Sequence, residues 1–415
     1  MVERTRTVAI VGGGPAGAAL ATYLVRDGFE VVLFAPERRP PLVVGESLVP
    51  AVIPFLRELG IEERIREQAI TKRGATFTVG PEDQFCFRFT DARGAETPYS
   101  YNVPRDVLDR EILGAARDAG VHILPEAAKL DRTEDSDRVQ LSVDSLSATH
   151  GVLQRQPDLI VDAGGRGRLI GRLLDLPTVE GPRRDTALFS HMEGVPLVVE
   201  GDVHSDILEH GWSWRIPLPG RVSVGFVVPD EHWERYGATK EERYDTLFRS
   251  DPAVLRWGGT PRRVAPVLKY NNYQRITSRG VGPGWALLGD AFGFVDPVFS
   301  SGMLIALDGA KQLARAVRKG TPDAFGAYEA HVKRHLAAWQ RVIEHFYNGR
   351  LLTLFRVGSY MRETIPGRVL DPHFRKHLPR VFTGEASTRR YSVGLTDFMC
   401  RYALAGNDPD PFRVR

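Results

Sequence analysis

An α/β fold is predicted, in which a parallel Rossmann-like sheet opens the chain, a second sheet is interleaved with it, and helices close it. Three observations predict this. The run Val8-Ala9-Ile10-Val11 leads into Gly12-Gly13-Gly14-Pro15-Ala16-Gly17 and then a helical stretch. Short strand-like segments broken by Gly and Pro fill 184–228. A buried strand, Trp285-Ala286-Leu287-Leu288, then returns the chain to the first sheet.

The first unit reads as a site for a dinucleotide pyrophosphate. Gly12, Gly14 and Gly17 allow the tight turn, the close approach of phosphate to backbone, and close packing of helix on strand, while free N–H groups at the helix start face the anion. Gly12, Gly14, Ala16 and Gly17 are therefore the expected binding residues. The helix runs from about Pro15 to Arg26, stops at Gly28, and is followed by a second parallel strand, Glu30 to Phe34. An acidic residue usually ends that strand and binds the adenine ribose. Ala35 stands there, and Glu37, two residues on, is the candidate in its place.

Further along, the loop Val43–Pro50 is too polar at its centre to be core, and a helical stretch follows from about 50 to 68. Segments near 74–89 and 98–103 alternate as strands. From Pro104 a helix places apolar residues 107, 108, 112 and 115 on one face. Strand pieces are expected at 121–124 and 138–143, and an apolar strand at 158–163. The cluster Gly165-Arg166-Gly167 has the wrong spacing for a second nucleotide fingerprint and reads as a turn closing over the first site. A helix is expected from about Gly302 to Arg318 and helical periodicity through 327–357. The expected division is a core over 1–350, with substrate-side sheet segments at about 74–103 and 184–267, and a helical or irregular region over 351–415.

Composition excludes several classes. Of 415 residues 42% are hydrophobic and 26% charged, which permits a large core, and a net charge of +3 without a basic run argues against a nucleic-acid partner. Two cysteines, Cys86 and Cys400, have neither metal-site spacing nor a disulfide framework, as expected of a reducing compartment. No stretch resembles a signal peptide or transmembrane span, so a cytoplasmic protein without membrane association is expected.

These pieces resemble the FAD-dependent monooxygenase superfamily: the N-terminal GxGxxG, Arg105 in PRDVLDREIL, DLIVDAGGRG, and ALLGDAFGF with Asp290. The resemblance spans about residues 7–320 and implies FAD, with Arg105 and Asp290 in contact with it. Three stretches resemble the flavin-dependent halogenases within it, of phenol or pyrrole type rather than tryptophan type. GWSWRIPLPG holds Trp212 and Trp214, two apart on a strand and so on one face. In the family they form a wall that keeps substrate from the flavin. FVDPVFSSG sets Phe294, Pro297, Ser300 and Gly302 at the spacing FxxPxxSxG. Small residues entering a helix suit a halide, which the resemblance puts near Ser301 and Gly302. ITKRGATFTVG supplies Lys72 in a Lys-x-Gly-x-x-Phe pattern whose lysine is essential in the family.

The chemistry explains the lysine. Reduced flavin, dioxygen and halide yield hypohalous acid, an indiscriminate oxidant, and an amine between flavin and substrate can hold it by hydrogen bonding or as a haloamine. Only a neutral amine forms the haloamine, so burial near other cationic groups, with Arg73 adjacent, is expected to depress the Lys72 pKa. The VGESLVP loop resembles the family's strap, which implies that Glu46 and Ser47 contact the cofactor. On this reading the enzyme consumes FADH2, dioxygen and chloride or bromide, takes FADH2 from a separate flavin reductase, and halogenates an electron-rich phenolic or heteroaromatic substrate, free or tethered to a carrier protein. Trp339, Phe346 and Tyr347 on the helix 327–350 are candidate pocket walls. The alternatives are a hydroxylase or epoxidase that transfers oxygen directly, and a flavin-binding relic without turnover.

Overall fold

The computed structural model describes residues 6–37, 44–92, 96–133, 136–361, 377–387, 389–402 and 407–415. Its first sheet has six strands in the order 281–282, 285–287, 159–162, 7–11, 30–34, 122–124, and all its pairings but that of 281–282 with 285–287 are parallel. Strand Thr7–Val11 lies at the centre, with Val8, Ala9 and Ile10 fully buried, because both faces of a parallel sheet are covered. The helix Pro15–Arg26 keeps the predicted bounds and buries an alanine-rich face against helices Arg105–Asp118 and Gly302–Lys319.

The second sheet is mainly antiparallel. Its principal path runs 293–294, 268–277, 178–193, 221–229, 212–218, 203–207, 74–78, 84–88. Of the short strands expected over 184–228, Val203–Ile207, Trp212–Leu218 and Arg221–Pro229 are present, and the first is the later part of one 16-residue strand, Thr178–Glu193, in the middle of the sheet. Its Gly and Pro residues, Gly181 and Pro182, fall at a register shift between Glu180 and Arg184 rather than at a chain reversal. The stretch 50–68 is likewise two helices, Ile53–Leu59 and Glu62–Glu67. Gly60 (φ 79°) caps the first in the left-handed region. Strand Ile70–Lys72, which carries too few residues to show a period, pairs with Ser100–Asn102.

One large hydrophobic cluster joins both sheets, and a smaller one sits behind the second sheet around Phe226, Tyr244 and Leu247. The boundary expected at 350 does not interrupt the core. Leu351, Leu352, Phe412 and Val414 belong to the large cluster, and the Val414 amide donates to the carbonyl of Tyr347. Among the described residues, no helix is long and apolar enough to cross a membrane.

Candidate active site

A cavity of about 380 Å³ opens where the two sheets meet. Gly14, Pro15 and Ala16 line it from the glycine turn, and Ala163 to Gly167 from the end of the strand Leu159–Asp162. The turn is built for close approach. A Cβ on Gly12 (φ 111°) would lie 2.4 Å from the Ala163 carbonyl oxygen, and one on Gly17 would lie 2.0 Å from the Gly12 carbonyl oxygen. Gly13 is pressed against Ala35, where a Cβ would come within 2.3 Å of the Ala35 methyl. Ala35 therefore fills a contact with the turn, and Glu37 is exposed beyond it. Asp162, fully buried, accepts from the amides of Gly164 and Ile170 (both 2.9 Å), which organises the second glycine cluster as a wall of this same cavity.

The strap 44–49 crosses the cavity mouth. Arg105 ties it to the helix Arg105–Asp118: its Nη1 donates to the Val44 carbonyl, while Nε and Nη2 form a bidentate pair with Asp109 at 3.0 and 3.1 Å. Gly45 (φ 103°) makes room for that guanidinium, 2.9 Å from where its Cβ would stand. Arg105 and Ser47 both line the cavity, as do Asp290 and Gly302. Glu46 is not among the lining residues. Its buried carboxylate meets His191 Nε2 at 2.9 Å, and Arg221 Nε donates to His191 Nδ1 at 3.1 Å. With Nδ1 accepting from Arg221, the Nε2–H of His191 is assigned as the donor to Glu46. This buried pairing fastens the strap to the second sheet.

Lys72 is 3% exposed. Its amine donates to Ser47 Oγ (2.9 Å) and to the Leu48 carbonyl (3.1 Å), reaching over the strand Ser100–Asn102 to the strap. Desolvation pulls its pKa from the ordinary 10.5 down to about 7. The expected cationic neighbours are not the cause: Arg73 is exposed, and the charge that acts on the amine is Asp202, which opposes the shift. Burial alone lowers the pKa, and Arg88 draws off part of the Asp202 charge through a 2.9 Å bond.

Trp212 and Trp214 project to one face of the strand Trp212–Leu218, their rings 5.9 Å apart, and line the cavity with Ile216. Gly225, opposite Trp214, leaves the space for its indole, since a Cβ there would stand 2.1 Å from the ring. On the other face Arg215 is held by the buried carboxylate of Asp206 at 3.1 Å. Phe294, Pro297 and Ser300 also line the cavity. Ser300 adopts the left-handed region (φ 55°), and Ser301, fully buried, has a hydroxyl without a hydrogen-bond partner. Gly302 begins the helix Gly302–Lys319.

Sequence reasoning missed the link between the last two motifs. Trp212 Nε1 donates to Tyr347 Oη (3.0 Å), which donates to Asp296 Oδ2 (2.7 Å), and Asp296 Oδ1 accepts from the Val298 amide (2.9 Å). The Arg183 guanidinium covers the Tyr347 ring at 3.9 Å. Burial, with Asp296 beside it, holds the Tyr347 phenol well above its ordinary pKa, so it remains a donor. Trp339 and Phe346, expected as possible walls, are fully buried core instead. Tyr347→Phe should leave the Trp212 N–H and the Asp296 carboxylate without their shared partner and cost about 1–3 kcal/mol, read as a lower urea midpoint.

The donor set fits a flavin dinucleotide. The turn admits no Cβ at Gly12, Gly13 or Gly17, which keeps the helix start close on the strand, and the cavity continues from it past Arg105 and Asp290 to Ser300 and Gly302; the unpartnered hydroxyl of Ser301 between them is buried and does not line it. A dinucleotide-type glycine turn, a tryptophan wall and a small-residue helix entry meet in one cavity, and this lining suits a flavin-dependent enzyme. The profile of the tryptophan halogenase family matches residues 7–97 and 82–355, and the chain belongs to that family; it is a flavin-dependent halogenase. The chain is 27% identical to a 1H-pyrrole-2-carbonyl-[peptidyl-carrier protein] chlorinase of Pseudomonas fluorescens, over 99% of this chain and 96% of that one. It is 31% identical to a tryptophan 2-halogenase of Chondromyces crocatus, over 84% of this chain and 69% of that one. The flavin-dependent brominase Bmp2 shares the fold, with a TM-score of 0.77 at 20% identity, covering 98% of this chain and 100% of that one.

Proposed function

We propose that this halogenase places chlorine or bromine on an electron-rich phenolic or heteroaromatic ring by way of Lys72. The observation that carries this is the Lys72 amine, dry, with a pKa near neutrality, bonded to a serine on the cavity wall. When bound and reduced, FAD supplies with dioxygen the two-electron oxidation of halide to hypohalous acid. Gly12, Gly14, Ala16 and Gly17 would hold its pyrophosphate, Glu37 its adenine ribose, and Ser47, Arg105, Asp290 and Gly302 the rest, with Glu46 acting through the strap. Ser301 and the first amides of the helix at Gly302 would hold the halide.

Trp212 and Trp214 confine the oxidant and bar substrate from the flavin, while the 2.9 Å bond from Lys72 to Ser47 puts the amine next to the wall of that cavity. The neutral amine attacks the halogen of hypohalous acid, so that an N–X bond forms, the O–X bond breaks, and water leaves with the amine's proton. The substrate ring then attacks the halogen, forming C–X as N–X breaks, and the ring's proton leaves as the amine is restored. Hydrogen bonding of intact hypohalous acid by Lys72 would give the same product through one step fewer.

The match to the carrier-protein chlorinase along nearly the whole chain supports a heteroaromatic acyl group tethered to a carrier protein. A separate flavin reductase would supply FADH2. With an added reductase and a panel of free and carrier-bound phenols, pyrroles and indoles, product should require halide and carry its mass. Oxygenated product without halide would instead identify direct oxygen transfer.

A further inference from the structure

Outside the flavin cavity, two imidazoles and a carboxylate converge. His331 and His335 lie four residues apart on the helix Pro322–Tyr347, so their rings share a face, and Asp308 comes from the adjoining helix Gly302–Lys319. His331 Nε2 is 2.6 Å, and His335 Nδ1 3.4 Å, from the same oxygen, Asp308 Oδ2. The three ligand atoms lie within 4.8 Å of one another. Asp308 and His335 are buried, while His331 is partly exposed.

We infer that Asp308, His331 and His335 form a binding site for a borderline divalent transition ion of the Zn2+ class. The chemistry of the donor set suits such an ion, because two neutral imidazoles and one carboxylate are the ligands of open tetrahedral zinc sites. The outer shell is in place. His335 presents Nδ1 to the cluster and turns Nε2 to Ser387 Oγ at 2.5 Å, and Gln312 Nε2 donates to the other Asp308 oxygen at 3.3 Å. Asp308 also lines a second cavity of about 310 Å³, with Glu58, Lys311 and Glu385, which gives an ion a path in and leaves room for water as fourth ligand. Opening the close imidazole–carboxylate contact to ligand spacing needs side-chain movement of under about 1 Å.

The site's place in the fold says what an ion would do. Asp308 follows Gly302 by six residues, about 9 Å along the helix axis, so the ion would pin the helix that starts at the Ser301–Gly302 turn to the C-terminal helix and, through His335, to the turn at Ser387. None of these residues reaches the flavin cavity, and the inference stands independently of the halogenation chemistry.

Calorimetric titration of the metal-stripped full chain with ZnCl2, paired with visible absorption on adding CoCl2, tests it without turnover. One equivalent should bind, the cobalt bands should have tetrahedral intensity, and the thermal midpoint should rise with zinc. His331→Ala, at a partly exposed position that the fold tolerates, should weaken binding by more than about 100-fold. Ser387→Ala should weaken it roughly ten-fold, as for other outer-shell partners. Weak octahedral cobalt spectra, or equal zinc affinity in wild type and His331→Ala, would overturn the site.

Discussion

Lys72→Met is expected to abolish halogenated product while the protein still binds FAD, still consumes reduced flavin, and unfolds at a higher temperature. The two effects share one cause. Keeping an amine 3% exposed and near pKa 7 is costly, because below pH 7 a charge that water would solvate must be carried in a dry site. In the unfolded chain the same lysine titrates near 10.4. Below about pH 7 both states hold the proton, and the cost to the fold is fully present. Between about 7 and 10.5 only the unfolded state keeps it, so stability rises with pH, and above 10.5 the cost is gone. The cost is at most roughly 4 kcal/mol at neutral pH. Methionine removes it but leaves Ser47 Oγ and the Leu48 carbonyl without their donor, at about 1 kcal/mol each. A net gain of about 2 kcal/mol remains at neutral pH; it vanishes at about pH 9 and becomes a loss of about 2 kcal/mol at about pH 10.5. On the proposed role of Lys72, the site trades stability for chemistry. Parallel thermal melts and product assays across that pH range measure both halves.

Gly17→Ala should reduce FAD affinity by more than about 100-fold and destabilise the chain by about 2–4 kcal/mol. The added methyl would stand 2.0 Å from the Gly12 carbonyl oxygen, a backbone atom that cannot rotate away. The helix Pro15–Arg26 must then lift from the strand Thr7–Val11, and its N-terminal amides leave the cavity edge together. Gly114→Ala is the control. On the helix Arg105–Asp118, a Cβ at that glycine meets nothing within 4 Å, so the substitution should stabilise by about 0.5–1 kcal/mol with FAD binding unchanged. Isothermal titration with FAD and urea melts of both variants separate lost binding from lost folding. Equal affinity in Gly17→Ala and wild type would refute the assignment of the glycine turn.

The first sheet and its helices were legible because each carries a period and a punctuation mark. Val8 to Val11 end in the glycine turn, and the helix after Pro15 stops before Gly28. The start of the strand Thr178–Glu193 was not legible, because Gly181 and Pro182 at its bulge look the same as glycine and proline at a turn. For the site, the resemblance carried by their motifs, not spacing alone, brought Lys72, Trp212, Trp214 and the 294–302 loop into one expected site. What it could not supply was any contact across the chain. Tyr347 meets Trp212 from 135 residues away, and His191 reaches Glu46 from 145. Neither pair has a fixed spacing to search for. The cause of the Lys72 shift was misjudged for the same reason. Arg73 is adjacent in sequence yet exposed, while Asp202, 130 positions on, supplies the charge that acts on the amine.

Among eight lysines in the chain, the proposed haloamine route depends on the protonation of one. A pH titration by NMR of the protein carrying carbon-13-labelled lysine side chains, with Lys72→Met to assign the signal, reads that protonation without substrate, flavin turnover or reductase. The Lys72 resonance should titrate with a midpoint near 7 and be missing from the variant. A Lys72 signal that keeps the ordinary midpoint near 10.4 would mean a charged amine at working pH, and the haloamine route would be contradicted.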